Sequence, residues 1–328
     1  MVSGVNTAQA QLGAVLAAGG TELARLLELT EARLADVARG HGPELARHAA
    51  GTLSAGGKRL RPMLVFLCAA GDGDGRLVAA GAAVELLHMA TLVHDDVLDR
   101  APLRRGRPTV FAEGGRPAAT ATGDLLFSRA FAELASAGSR DAVRALSAAS
   151  SALARGDLMQ RADAWSSDVT PERYLERCRL KTASLFEASC RLGALFGGRP
   201  RLSDAVGRFG ERVGLAFQML DDVLDVSGPA ERTGKPRGTD LLDGTVTLPL
   251  ILARRSDPEL RALDAALSPE QAETLCDRIA ATGALERARE QALTHVTEAK
   301  RTLSGLDLPE PRRRALELVA DGVVERYA

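Results

Sequence analysis

The sequence is poor in the residues that build sheets. Only 3% of its 328 residues are aromatic and isoleucine occurs just twice, as Ile251 and Ile279, while Ala, Leu, Arg and Glu fill long stretches. β-Branched and aromatic side chains favour strands, so their scarcity excludes an all-β fold and disfavours a parallel sheet. The abundant residues are helix formers. Cysteine is limited to Cys68, Cys178, Cys190 and Cys276, far apart and with no CxxC pair. That spacing excludes a disulfide framework and a zinc site, and leaves buried, reduced thiols as the expectation. With 42 basic against 43 acidic residues there is no excess charge to attract nucleic acid or anionic lipid. An anionic ligand has to be held locally. No apolar run of 18 residues escapes interruption by charge, and no cation precedes Arg25. A transmembrane segment and a signal-peptide start are therefore not expected, and the reading is a soluble, cytoplasmic protein. Lysine is the last scarcity: it occurs only at 58, 181, 235 and 300. A chain that writes nearly every cation as Arg keeps a compact ammonium where a guanidinium fork does not serve.

The remaining pattern is helical almost throughout. Residues 1 to about 20 carry no charge and are expected to be frayed or weakly helical. The run from Val78 to Val93 is too apolar for a helix with a wet face and belongs inside a bundle. Arg140 to about Asp163, Thr170 to about Leu195 and Leu202 to about Val226 show helical spacing of Leu, Ala, Phe and Val. Thr170-Pro-Glu, Asp257-Pro-Glu and Ser268-Pro-Glu-Gln mark helix starts, the last with a capping box. Breaks fall at 71–75, 101–108, 197–200 and 227–239, all short. The expectation is one all-α domain over residues 1–328, a helical bundle of ten or more helices.

One repeat stands out. Asp-Asp-Val-Leu-Asp occurs at 95–99 and again at 221–225, each time ending an apolar helix and preceding a Gly/Pro/Arg-rich loop. Residues four apart share a helix face, so Asp95 aligns with Asp99 and Asp221 with Asp225, with Asp96 and Asp222 about 100° round. One such triad reads equally well as a solvated helix end. An identical pair, each preceded by buried helix, argues for cation sites, and oxygen-only donors suit a hard ion such as Mg²⁺ that bridges carboxylates to substrate phosphates. Cations flank both triads: Lys58-Arg-Leu-Arg61, Arg100 to Arg107, Lys181-Thr182 and Lys235-Pro-Arg237. Such groups beside magnesium-binding acids are what a diphosphate needs.

These segments resemble the successive signatures of the trans-isoprenyl (polyprenyl) diphosphate synthases. The matching stretches are Gly56-Gly-Lys-Arg-Leu-Arg-Pro62, His94-Asp-Asp-Val-Leu-Asp99 with Leu103-Arg-Arg-Gly-Arg-Pro-Thr109, Gly123-Asp-Leu-Leu-Phe127, Lys181-Thr-Ala-Ser184, Gln218-Met-Leu-Asp-Asp-Val-Leu-Asp225 and Gly234-Lys-Pro-Arg-Gly-Thr-Asp240. Six in order are far more specific than any one. The resemblance implies an isoprenoid-synthase bundle around a deep cavity, a homodimer, and Mg²⁺-dependent head-to-tail condensation of isopentenyl diphosphate onto an allylic diphosphate. By position, Asp95, Asp96 and Asp99 would hold two Mg²⁺ and Asp221, with Asp222 and Asp225, a third. Arg104, Lys181 and Lys235 would contact the allylic diphosphate; Lys58, Arg61, His88 and Arg105 would bind isopentenyl diphosphate. Lys181, Thr182 and Gln218 would supply dipoles to the carbocation. His88 has an alternative as a core histidine in an apolar helix.

One position departs from the family pattern: Thr245 stands where a Lys near the allylic diphosphate is usual, which removes a positive charge. Arg237 and Arg254 are the candidates to replace it. For product length, Ala90 and Thr91 are small where short-chain members place an aromatic ring, and Leu87 lies one turn deeper. The stretch Glu85 to Asp96 resembles long-chain, quinone-tail synthases most, so a long all-trans product is expected, with geranylgeranyl or farnesyl synthesis as the alternative. A class I terpene cyclase would carry a different second metal motif and no Gly-Gly-Lys-Arg-Leu-Arg-Pro segment. A non-catalytic subunit of a heteromeric synthase would have lost aspartates that are intact here. A di-iron bundle would need several Glu-x-x-His pairs, and Glu85-Leu-Leu-His88 is single.

Overall fold

The computed structural model describes residues 3–54, 57–69, 75–104, 106–228, 237–263 and 266–325. Among these the chain is helical but for one short hairpin. The helices are α1 (Ser3–Arg39), α2 (Pro43–Ser54), α3 (Leu60–Cys68), α4 (Gly75–Leu98), α5 (Val110–Ser136), α6 (Arg140–Ala162), α7 (Pro171–Cys178), α8 (Ser184–Phe196) and α9 (Ser203–Ser227). Six more follow: α10 (Thr239–Leu242), α11 (Leu248–Ala253), α12 (Pro258–Arg261), α13 (Pro269–Ala281), α14 (Ala284–Ser304) and α15 (Glu310–Glu325). The all-α expectation holds. The break at 101–108 is more ordered than a loop, because Leu103–Arg104 (β1) pairs antiparallel with Arg107–Pro108 (β2). The charge-free start is drawn as helix from Ser3, with a non-helical kink at Gly20. The break at 71–75 falls largely outside the described residues, as does most of 227–239.

The helix starts read from the sequence cap as their side chains dictate. The Thr170 hydroxyl accepts from the Arg173 amide at 3.2 Å. Ser268 accepts from the Gln271 amide at 3.3 Å while the Gln271 side chain accepts from the Ser268 amide at 2.8 Å, satisfying two amides that have no helical partner. Helix α14 shows how the apolar pattern becomes packing: Ala284, Ala288, Ala292, Val296, Ala299 and Leu303 are buried on one stripe, against α9.

Helix α4 is buried nearly all round, against α1, α3, α5 and α8. Leu86, Leu87 and Ala90 are completely covered, and each Leu contributes roughly 1.5–3 kcal/mol by leaving water. Among the described residues α4 alone is long and apolar enough to cross a membrane, but 67% of its most apolar window is buried in the bundle. Glu85, the charge that interrupts it, is buried as well and accepts from Arg59 Nη1 at 2.6 Å. Buried apolar residues from α1 to α15 join in one cluster. All four cysteines are free and buried.

Candidate functional site

Both aspartate motifs sit at the ends of core helices. Asp95 and Asp96 lie in the last turn of α4; Asp99 lies just beyond it, its amide donating to the Asp95 carbonyl at 2.8 Å. Asp221, Asp222 and Asp225 occupy the last two turns of α9. Between the motifs runs a segment that periodicity alone does not reveal. Helices α7 and α8 are joined by a π-helical turn over Arg179–Ala183, an irregularity found frequently at functional sites. It carries Lys181 and Thr182.

Lys181 links the first motif to α6. Its Nζ donates to Asp157 Oδ1 at 2.8 Å and interacts electrostatically with Asp95. Burial works against the ammonium, but Asp95 and Asp157 outweigh it and hold its pKa above the ordinary value. Burial pushes Asp95 up to about 6; Lys181 opposes the shift, and Asp157 and Asp99 add to it. The close approach of α6 depends on Gly156, where a Cβ would lie 2.6 Å from the Lys181 backbone nitrogen.

Thr182 links to the second motif. Its hydroxyl donates to Gln218 Oε1 at 2.6 Å, and Gln218 Nε2 donates to Asp222 Oδ1 at 2.7 Å. The other Asp222 oxygen accepts from the fully buried Tyr174 hydroxyl at 2.6 Å. Burial and the neighbouring Asp240 raise Asp222 to about 8, against the pull of its hydrogen-bond donors and Arg177. Asp225 accepts from the Asp240 amide at 3.1 Å. Gln160, Arg177, Cys178, Asp240, Thr245 and Thr247 complete, with Lys181, Thr182, Gln218 and Asp222, the lining of a cavity of about 160 Å³.

The flanking cations are placed unequally. Arg104 Nε and Nη2 both lie 2.8 Å from Asp96 Oδ1. Arg161 Nη2 lies 3.3 Å from Asp99. A second cavity, of about 240 Å³, has Asp96, Arg104 and Arg107 in its wall, with Met89, Leu92 and Val93 of α4. Arg61 begins α3 with its guanidinium 4.7 Å above the Phe186 ring. Lys58 is exposed just before that helix. His88 is half-buried on α4, two turns before Asp95, and its carbonyl accepts from the Thr91 hydroxyl at 2.7 Å. Leu87 and Ala90 lie in the core. Arg105 and Lys235 lie outside the described residues.

Among the described residues no three acids, His or Cys are grouped closely enough to form a preformed metal cage. Magnesium does not require one, since it keeps waters and takes one or two carboxylates plus substrate phosphates. The donors here are all carboxylate oxygens, and Asp95 and Asp222 hold their protons unusually late, as buried acids near other acids do. The residues fit a hard divalent cation. Sequence reasoning missed Asp157, Gln160 and Arg161 of α6, and Tyr174 and Arg177 of α7. The readable sign was Gly156 beside polar residues spaced along one helix face; for Tyr174 and Arg177 there was none.

The family model described as Polyprenyl synthetase matches residues 43–281. Heptaprenyl diphosphate synthase component 2 of Geobacillus stearothermophilus is 42% identical over 279 residues, covering 83% of this chain and 87% of that protein. Geranylgeranyl diphosphate synthase of Methanosarcina mazei is 35% identical over 287 residues, covering 84% of this chain and 87% of its own. Among solved structures, polyprenyl synthase from Caulobacter crescentus CB15, complexed with calcium and isoprenyl diphosphate, superposes with a TM-score of 0.88 at 33% identity, covering 97% of this chain and 98% of that one.

Proposed function

Because the chain belongs to the polyprenyl synthetase family, and is therefore a prenyl diphosphate synthase and a transferase, we propose that it makes a long product. The reaction is head-to-tail condensation of isopentenyl diphosphate with an allylic diphosphate, giving an all-trans chain of about six to ten isoprene units in an apolar tunnel. The observation that carries the reading is the π turn, which puts Lys181 beside Asp95 and Asp157 and ties Thr182 through Gln218 to Asp222. Cations and acids for a metal-bound diphosphate thereby meet the oxygen dipoles that suit a carbocation.

Asp95, Asp96 and Asp99 on one side, and Asp221, Asp222 and Asp225 on the other, would hold Mg²⁺, three ions in all with substrate present. When bound, the ions neutralise charge that grows on the departing diphosphate. The chain's own groups do the rest. Lys181, already held charged, donates to the diphosphate oxygens as the C–O bond breaks and both electrons leave with the oxygen, an interaction stronger in the transition state than before it. Thr182 and Gln218 are fixed by their mutual hydrogen bond and present oxygen atoms to the allylic cation. The expelled diphosphate takes the proton. Lys58, Arg61, His88 and Arg105 would bind isopentenyl diphosphate; Arg104 and Lys235 would join Lys181 on the allylic one.

Product length is assigned from α4. Ala90 precedes Asp95 by five residues, about 7.5 Å along the helix, and Ala90, Thr91 and the deeper Leu87 leave no aromatic stop there. The heptaprenyl relative supports a long chain and the geranylgeranyl relative a shorter one. Incubation with labelled isopentenyl diphosphate, farnesyl diphosphate and Mg²⁺, followed by product sizing, decides. A product of about six to ten units, shortened in Ala90→Phe to the length that reaches the new ring, supports the proposal. Arrest at the geranylgeranyl length, unchanged by that substitution, contradicts it. We place the enzyme in the cytoplasm as a homodimer; a second reading, in which an unlike companion is needed, rests on the relative named component 2.

A further inference from the structure

Thr245 lies in the wall of the Lys181 cavity, 3.4 Å from Gln160 Nε2, so the position where the family pattern has Lys does face the site. Neither cation expected to replace it is there. Arg254 spends its guanidinium on the carbonyls of Leu260, Ser166 and Leu263, at 3.0, 2.8 and 2.9 Å. Arg237 donates to Asp277 at 2.6 Å and to the Val226 carbonyl. Arg177 does line the cavity. It projects from α7 one turn before Lys181, and its Nη2 donates to the carbonyl of Val246, the neighbour of Thr245, at 2.6 Å. Tyr174 lies beneath it, with the guanidinium carbon 5.4 Å from the ring centre.

The residue is only 3% exposed, yet Nη1 has no hydrogen-bond partner among the described residues. It forms a long ion pair with Asp163 Oδ2, at 4.0 Å, and that oxygen accepts no hydrogen bond among the described residues either. An unmet donor on a buried cation is costly, and folds keep one where something else completes it. A guanidinium in the cavity wall, anchored through Nη2 and only loosely ion-paired through Nη1, keeps donor capacity that a phosphate oxygen can meet.

We infer that Arg177, in the wall of the same cavity, supplies to the allylic diphosphate the positive charge that Thr245 withholds. The inference rests on the prenyl diphosphate reading. Arg177 only donates hydrogen bonds to the leaving group, and the electron pair of the breaking C–O bond departs on the diphosphate.

The test is a charge-relocation cycle read by calorimetric binding of inorganic diphosphate in the presence of Mg²⁺. The proteins are the unaltered chain, Arg177→Met, Arg177→Gln, Thr245→Lys and the two double variants. Gln keeps an amide donor but is shorter and carries no charge. Both Arg177 variants should bind about tenfold or more weakly, the size of one lost charge-assisted contact. Thr245→Lys should restore most of that loss in either background, and should tighten binding there more than it does in the unaltered chain. Binding by Arg177→Gln equal to that of the unaltered chain, failure of Thr245→Lys to restore it, or no diphosphate binding by the unaltered chain would each overturn the inference. Thermal unfolding of every variant separates lost binding from lost structure, and a variant that has unfolded is judged through its partner substitution. Turnover by the unaltered chain tests the enzymatic reading separately, because the cycle needs no prenyl transfer.

Discussion

Asp222 keeps its proton far later than an ordinary carboxyl although Tyr174 and Gln218 both donate to it, because complete burial and the nearby Asp240 outweigh those two bonds. The consequence is a stability that depends on pH in an unusual direction. The unfolded chain releases this proton at the ordinary 3.8 and the folded chain near 8, so across that interval unfolding releases a proton and rising pH favours the unfolded state. Asp95 acts the same way over a narrower range, from 3.8 to about 6. In the absence of divalent cations, urea midpoints measured at about pH 5 and about pH 8 should show stability falling, and Asp222→Asn should make the fall shallower. A gain in stability over that interval, or an unaltered slope in Asp222→Asn, would contradict this picture of the second motif. The acids themselves were legible, since a repeated pentapeptide on two apolar helices is a local pattern. Their partners were not: that Arg161 meets Asp99 and Tyr174 meets Asp222 depends on how α4 approaches α6 and α7 approaches α9, which no spacing along one helix encodes.

The elements that matter most are the π turn at Arg179–Ala183 and the helices laid against it. A sequence with continuous helical spacing from Thr170 to Leu195 gives no warning of one extra residue in a turn, and the insertion is what turns Lys181 and Thr182 toward opposite aspartate motifs. Gly156 of α6 permits the approach. Two effects compete when it is replaced by alanine: better helix propensity, worth about 0.5–1 kcal/mol, and a methyl group 2.6 Å from the Lys181 backbone nitrogen and 2.9 Å from its Cα. Backbone cannot move aside as a flexible side chain does, so overpacking of about 1–3 kcal/mol should win. Gly156→Ala should therefore unfold at lower urea and lose turnover with it. A stabilised, fully active variant would show that α6 and the π turn are further apart than described.

For the whole molecule, the architecture was legible from composition: few strand formers, a buried α4, and short breaks left no other class. What composition missed is local and has physical causes. The hairpin Leu103–Pro108 sits in a Pro/Arg-rich stretch without alternating apolar residues. The central claim is that two identical aspartate motifs, 126 residues apart in sequence, serve one diphosphate site through the π turn between them. The most direct measurement is the rate of labelled isopentenyl diphosphate incorporation, with saturating Mg²⁺ and an allylic primer, by the unaltered chain, Asp95→Ala and Asp221→Ala, each confirmed as folded by circular dichroism. Turnover lowered by orders of magnitude in both variants is the predicted result. Near-unaltered turnover in either would contradict it, since that motif would then stand outside the site.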